Sequence, residues 1–241
     1  MLALLKIEWL RMSRNKKYIF ITVATPILFF LVFSSMMKFN SKKQEAEFLM
    51  SMTTFCLTTF GLFNFPFDIM EDRTNGWDQT LKKVPLTRFQ VTIVKIIKMT
   101  IESAISIILV FFTGFLVKNV TLSLYQWIVS GILLLCGSTI FLSIGTLLTL
   151  FKNMQTASLF SNVLYFGLAI LGGLWFPIDQ FPEWIRKIGK MTPTYSFREL
   201  AVYFIQKGRI SITSVIIMLC YGALFILGYW FLSKHIFNEN N

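Results

Sequence analysis

The residues best suited to chemistry lie in one charged stretch, Ile69–Lys98, between two strongly apolar segments. It carries an acidic–basic cluster, a glycine, a tryptophan, two lysines and a proline, in the order Glu71, Asp72, Arg73, Gly76, Trp77, Lys82, Lys83 and Pro85. Charged groups are expelled from hydrocarbon, whereas the flanking segments are compatible with it. The stretch is therefore predicted to be a cytoplasmic handle by which another protein moves a membrane part. Within it, Asp78, Leu81 and Lys82 fit a short amphipathic helix whose apolar side suits docking into a groove of a partner, and Leu86-Thr87-Arg88 is predicted to start the helix that leads into the next span. An ordinary solvated loop is the alternative.

Metal, nucleophile and nucleotide chemistry have little support in this sequence. The single histidine, His235, cannot assemble a His-ligated metal site or a base–nucleophile pair. The three cysteines, Cys56, Cys136 and Cys220, each lie in an apolar run and do not share a metal-ligand spacing. No G-x-x-x-x-G-K-[ST] phosphate loop occurs, so this chain is predicted to carry no ATP site and no catalytic residue of its own. A membrane-embedded enzyme is disfavoured for the same reason.

Composition indicates a polytopic membrane protein. The 241 residues are 55% hydrophobic and only 15% charged, whereas soluble domains average roughly 45–50% apolar and about 25% charged residues. The formal net charge of +11 comes from short basic clusters beside apolar runs. Such clusters are typical of anchors against anionic lipid, so nucleic-acid binding is disfavoured.

The apolar runs predict an all-α membrane domain over residues 1–241. About 20 apolar residues are needed to cross roughly 30 Å of hydrocarbon. Six runs approach that length, at residues 18–37, 48–69, 99–117, 125–151, 156–176 and 212–232. Residues 2–17 are predicted to form an interfacial helix carrying Trp9, Arg11 and Arg14. No carboxylate or lysine is expected at the centre of a span, which argues against an ion-coupled transporter.

The distribution of Lys and Arg predicts the orientation. These residues concentrate before the first span and in the central charged stretch, which places both termini in the cytoplasm and residues 177–211 outside. This outer segment is apolar and broken by prolines, which predicts two short re-entrant helices that dip partway into the outer leaflet, although a plain outer loop is the alternative. Its marker residues are Phe181, Pro182, Trp184, Pro193 and Tyr195.

Polar side chains within two of the spans could line a substrate path. They recur at helical spacing in the second span, at Thr54 and Thr58, and in the fifth, where the set is Ser158, Ser161, Asn162 and Tyr165. A path of hydroxyls and aromatic rings without fixed charge favours an amphipathic or lipophilic cargo. Small polar residues that hold packed helices together are an equally good interpretation.

Two segments in this order resemble a known family. The acidic–Arg cluster followed by Leu-Lys-Lys-Val-Pro-Leu-Thr-Arg at 81–88, and the later Phe-Pro, Phe-Pro-Glu-Trp and Thr-Pro-Thr-Tyr elements before the last span, resemble the permease subunit of bacterial ABC-type exporters of the type-2 class. With the six-span layout, the resemblance covers nearly the whole chain. It departs from the family pattern at residues 77–79 and at Thr192.

The resemblance implies a half-transporter in the bacterial plasma membrane. Two permease chains, identical or paired with a sister, would work with two separate ATPase subunits that bind ATP and magnesium. The cargo would be a drug, an antimicrobial or toxic peptide, or a lipid-linked molecule. A membrane sensor or resistance partner that signals without translocation is the alternative. The N-terminal helix would be a second contact with the ATPase, and the outer re-entrant helices would cap the exit. The residues implied in ATPase coupling are Glu71, Asp72, Arg73, Gly76, Trp77, Leu81, Pro85, Leu86 and Arg88.

Overall fold

Helices make up all the regular structure in the computed structural model, which describes residues 2–37, 39, 41–84 and 87–238. They include a π-helical turn, Phe60–Asn64, and a short 3-10 turn, Ile178–Gln180. The α-helices in these ranges are α1 (Leu2–Arg14), α2 (Lys16–Met36), α3 (Lys42–Thr59), α4 (Phe65–Thr74), α5 (Trp77–Lys82), α6 (Arg88–Lys118), α7 (Leu124–Leu148), α8 (Met154–Leu171), α9 (Glu183–Met191), α10 (Pro193–Lys207) and α11 (Ile212–Asn238).

Five of the six predicted spans coincide with helices that are long and apolar enough to cross a membrane. Among the described residues, these helices are Lys42–Thr74, Phe89–Lys118, Leu124–Leu148, Met154–Leu171 and Ile212–Lys234. The first predicted span, 18–37, falls on α2, in which Ala24–Met36 is a shorter apolar helix. The sixth crossing therefore stays a prediction. The segment 177–211 does contain two short helices, α9 and α10.

The third span predicted at 99–117 is the later part of a longer helix. Helix α6 starts at Arg88, as predicted for the helix that leads into this span, and Thr87 and Gln90 form a capping box there. Glu102 consequently lies near the middle of the helix and is buried. The apolar run alone had placed this carboxylate at a span end. No contact among the described residues gives the depth of Glu102 in a membrane, so the expectation of uncharged span centres stays a prediction.

Helices α3 and α4, with the π turn between them, form one continuous rod, Lys42–Thr74, which is the most buried of the candidate spans. Pro66 stands at the start of α4, directly after the π turn. A proline lacks the N–H that would bond to the carbonyl four residues earlier, and its ring crowds that carbonyl. The wider π turn accommodates this break, so the rod continues through the proline without ending.

The rod meets α7 backbone to backbone at two glycines. A Cβ on Gly145 would overlap the carbonyl oxygen of Gly61, and a Cβ on Gly61 would lie 2.8 Å from the carbonyl oxygen of Phe141. Neither helix could accept a side chain at this crossing. Pairs of small residues allow membrane helices to approach this closely. The contact fixes the rod within the bundle at the level of the π turn.

Candidate functional site

A network of buried ion pairs joins α1, the C-terminal end of the rod in α4, and α6. Lys95 Nζ lies 2.7 Å from Asp68 Oδ2 and 2.6 Å from Asp72 Oδ2. Lys98 Nζ lies 2.9 Å from Asp68 Oδ1 and 3.4 Å from Glu8 Oε2. Arg11 completes the ring with contacts of 3.1 Å to Glu8 and 3.0 Å to Asp72. We call these six residues the ion network; they are Glu8, Arg11, Asp68, Asp72, Lys95 and Lys98.

The ion network is electrically balanced, because its three carboxylates face three cations. Glu8 is 2% exposed and Lys95 is 3% exposed. Ions this deeply buried are tolerated only when they are paired, since an isolated buried charge costs several kcal/mol. Burial of Arg11 opposes its charge, but the carboxylates of Asp72 and Glu8 outweigh that effect and raise the pKa of the guanidinium above its ordinary value. The network thus ties three helices together at defined positions.

Helix α5 packs its apolar side against the same part of the chain. Leu81 is buried with Leu4 of α1 and Val94 of α6, and Trp77 packs at the edge of this cluster. The Arg11 guanidinium lies 5.1 Å from the centre of the Trp77 ring, within range of a cation–π contact. The ion network and α5 therefore form one unit through Arg11.

The structure changes the interpretation of the α5 surface. We predicted from its amphipathic pattern that its apolar side would dock into a groove of a partner. That side is instead occupied by this chain's own α1 and α6. The exposed face at the α4–α5 junction is polar, and its members are Glu71, Thr74, Asn75, Gln79 and Thr80. We call these five residues the junction face.

The remaining residues of the predicted coupling set have distinct positions. Arg73 donates a hydrogen bond of 2.7 Å to the carbonyl of Thr149, which caps the C-terminus of α7. Gly76 has a φ of +72°, a conformation that side chains rarely adopt, and it caps the start of α5. Pro85 and Leu86 lie outside the described residues, as does the side chain of Arg88. On α1, Trp9 and Arg14 are exposed, in contrast to Arg11.

The residues predicted to line a path are only partly brought together. Thr54 and Thr58 are buried, and each hydroxyl donates to a carbonyl of its own helix. Tyr165 stacks on Phe55 with ring centres 4.5 Å apart, and its hydroxyl lies 3.3 Å from the hydroxyl of Thr59. A small cavity of about 120 Å³ opens between α2, α3 and α8, with Thr25, Cys56, Thr59, Asn64 and Tyr165 among its lining residues.

The other three predicted path residues lie on different sides of α8. Ser161 is fully buried, whereas Asn162 is exposed. The amide of Asn162 donates to the carbonyl of Ser158 at 2.8 Å, which satisfies one donor within the helix. An amide on the outer surface of an apolar span is costly against lipid. This side of α8 is therefore better suited to a protein or aqueous neighbour than to hydrocarbon.

The predicted outer residues occupy the segment between α8 and α11. Phe181 is half-buried and Pro182 precedes α9, on which Trp184 is 66% exposed. Pro193 is the first residue of α10, and Tyr195 donates its backbone N–H to the hydroxyl of Thr192. No contact here tests whether either helix enters the membrane.

Sequence reasoning missed four members of the ion network. Glu8 comes from the predicted interfacial helix, Asp68 from the end of the predicted span 48–69, and Lys95 and Lys98 from the central charged stretch. A signal was present, because Lys95 and Lys98 are three residues apart on one helical face, as are Glu8 and Arg11. Thr59 and Asn64 were also missed, since the helical face was assigned to Thr54 and Thr58.

Comparison with known proteins finds a family and a relative that match most of the chain. Residues 1–206 match the family described as ABC-2 type transporter. The chain is also 31% identical over 232 residues to a protein of Bacillus subtilis (strain 168) described as "Putative transport permease YvfS", covering 95% of this chain and 93% of the relative. No solved structure matches it. With several helices apolar enough to cross a membrane, this chain belongs to the ABC-2 type transporter family, as a transmembrane subunit of an ABC transporter.

Proposed function

We propose that this chain is the permease of an ATP-driven exporter in a bacterial plasma membrane. A separate ABC ATPase supplies the energy, and the permease pairs with a second copy or a sister chain to form the path. The cargo is an amphipathic or lipophilic molecule, such as a drug, an antimicrobial or toxic peptide, or a lipid-linked compound. The single observation that carries this proposal is the junction face, held on a rigid base at one end of the bundle.

The ion network supports a coupling role for this end. A movement of α5 can reach the rod only if α5 is held firmly against the helices on which it packs, α1 and α6. Leu81 anchors α5 to α1 and α6, and Arg11 links Trp77 to Asp72 on the rod. A force applied at the junction face therefore reaches the central rod through packed and ion-paired contacts. In this proposal Glu71 contacts the ATPase directly, and Asp72, Arg73 and Trp77 transmit the motion.

The contacts between α3 and α8 support an apolar or amphipathic cargo. Aromatic rings of Phe55, Phe63 and Tyr165 pack together there, and the polar groups beside them are neutral hydroxyls and amides. Neutral surroundings of this kind offer no fixed charge to a small inorganic ion. In the proposal, the exposed side of α8 around Asn162 faces the second permease chain across the path.

The proposal is tested by purifying the permease in detergent with the ATPase encoded beside it. Glu71→Ala removes an exposed carboxylate from the junction face, and we expect it to weaken ATPase binding roughly fivefold to tenfold, because charge-assisted contacts at an interface are lost. Trp77→Ala is expected to retain the ATPase but to lose the stimulation of ATP hydrolysis by substrate. Binding and hydrolysis are measured on the same purified complexes.

Glu183→Ala is the matched control. Glu183 is also an exposed carboxylate near a helix end, but it lies on α9 and pairs there with Lys187 at 3.0 Å. Its replacement should leave ATPase binding unchanged. If the wild-type chain retains no ATPase, the proposal is wrong at its main point. If substrate stimulates hydrolysis while inverted vesicles accumulate none of it, the chain is a sensor rather than an exporter.

A further inference from the structure

A second polar site lies at the opposite end of the rod from the ion network. It is a cavity of about 520 Å³, bounded by the first turns of α3, the segment 173–180 and one side of α10. The rod, Lys42–Thr74, has 33 residues and is therefore about 50 Å long. The cavity and the junction face are thus distant from each other and share only the rod. We call it the upper cavity.

The negative and positive side chains that line the upper cavity are unequal in number. Arg198 donates to Ser51 at 2.7 Å and pairs with Glu199 at 2.8 Å, so its charge is already balanced. Glu47 accepts only a neutral hydrogen bond in the described structure, 2.7 Å from the amide of Gln206. Asp179 and Lys190 complete the charged lining. Three carboxylates therefore face two cations, which leaves an excess of negative charge.

Aromatic rings form much of the rest of the wall. They belong to Phe39, Phe48, Trp175, Phe176 and Tyr195. The ring centres of Phe39 and Phe48 lie 5.2 Å apart, so these two form a continuous surface. Aromatic faces attract organic cations through their quadrupoles and also bind apolar groups. Carboxylates beside aromatic faces suit a ligand that is both positively charged and apolar.

The surroundings of Glu199 fit such a ligand. Burial raises the pKa of this carboxyl group above its ordinary value; Arg198 opposes the shift, while Glu47 on α3 adds to it. Lys190 on α9 lowers the pKa and Asp179 of the 3-10 turn raises it, each by less. The charged form of Glu199 is thus disfavoured by burial despite its ion pair with Arg198. A bound cation would supply the missing positive charge.

We propose that the upper cavity is a binding site for an amphipathic organic cation, held by Glu47 and Glu199 and by the surrounding aromatic rings. This inference deepens the proposed function, on which it rests for the role of the site: a positively charged amphiphile becomes the class of cargo, and the cavity becomes a place where it is held. Its volume suits a molecule of drug size or the side chains of a cationic peptide.

Binding to the permease alone, in lipid nanodiscs, tests the site. The probes are tetraphenylphosphonium and tetraphenylborate, which have nearly the same shape and opposite charges, with empty nanodiscs as the blank. We expect saturable binding of the cation only. Glu47→Gln and Glu199→Gln should each weaken it about tenfold, because each removes a partly buried opposite charge. Glu183→Gln, which removes an exposed carboxylate outside the cavity, should not change it.

The pH dependence provides an independent readout. Because the pKa of Glu199 is raised, this carboxyl group keeps its proton to a higher pH than an exposed glutamate does, and a bound cation must displace that proton. Affinity for tetraphenylphosphonium should therefore increase as the pH rises through the titration of Glu199. This dependence should weaken in Glu199→Gln and persist in Glu183→Gln. Thermal unfolding of each variant confirms that it is folded before binding is measured.

The outcomes separate this inference from the proposed function. Equal binding of both probes, tighter binding of the anion, or unchanged binding in Glu47→Gln and Glu199→Gln would each overturn the cation site. None of these measurements includes an ATPase. Loss of the ATPase interaction with cation binding intact would refute the exporter and leave the site standing. Binding of the ATPase without binding of the cation would refute the cation site and leave the exporter standing.

Discussion

Replacing Asp72 with asparagine is expected to lower the free energy of unfolding by about 3 kcal/mol, because it leaves a buried network with one unbalanced positive charge. Asp72 contacts both Lys95 and Arg11 and is buried. Asparagine keeps the shape of the side chain but cannot neutralise either cation. The effect is expected at the low end of the range for broken buried pairs, since each cation keeps a second carboxylate. Thermal and denaturant unfolding in detergent measure it.

Two further variants make this prediction specific. Glu71→Gln changes the adjacent carboxylate, which is exposed, and should alter stability by less than about 0.5 kcal/mol. Combining Asp72→Asn with Lys95→Met restores the charge balance of the ion network. The double variant should therefore cost less than the sum of the two single variants. Additive losses, or an Asp72→Asn protein as stable as the wild type, would show that the pairs are not coupled.

Gly145→Ala is expected to destabilise the bundle by about 2–3 kcal/mol, since the new methyl group meets backbone instead of a movable side chain. The obstructing atom is the carbonyl oxygen of Gly61 on the neighbouring helix. Relief would require α7 and the rod to separate along their whole contact. Gly145→Val, with two more methyl groups, should yield no folded protein. Yield of monodisperse protein and its melting temperature are the measurements.

Gly167 is a control that should respond in the opposite direction. A Cβ at this position meets nothing within 4 Å, although the residue is also a glycine within a span. Gly167→Ala should leave the melting temperature unchanged or raise it slightly, because alanine favours the helix by about 1 kcal/mol over glycine. If both substitutions lower stability equally, the close approach at Gly145 is not the cause.

Apolar length was sufficient to predict most of the architecture. A run of about 20 apolar residues has few alternatives to a membrane helix, so five spans and the two short helices before α11 were located from the sequence. Ends were less accurate where polar residues continue a helix. The predicted span 99–117 covers only the later part of α6, because the start of this helix at Arg88 is set by a capping box and not by hydropathy.

The ion network could not be assembled from the sequence, because its members are joined only by tertiary contacts. Asp68 and Lys95 are 27 positions apart, and Arg11 and Asp72 are 61 apart. Helical spacing indicated that Lys95 and Lys98 share a face, but not which helix lies opposite. The same limit applies to Thr59. The helical period shows which residues share one face of a helix, whereas packing decides which face meets the cavity.

The crossing of the rod with α7 at Gly61 can act as a pivot, which makes the rod a lever with two arms. Gly61 lies about 16 Å along the helix from Asp72 and about 21 Å from Glu47, at 1.5 Å per residue. If the rod tilts as a rigid body about that crossing, a 1 Å displacement at Asp72 moves Glu47 about 1.3 Å in the opposite direction. A small displacement at the junction-face end of the rod would thus shift one wall of the upper cavity relative to α10, by more than the displacement itself.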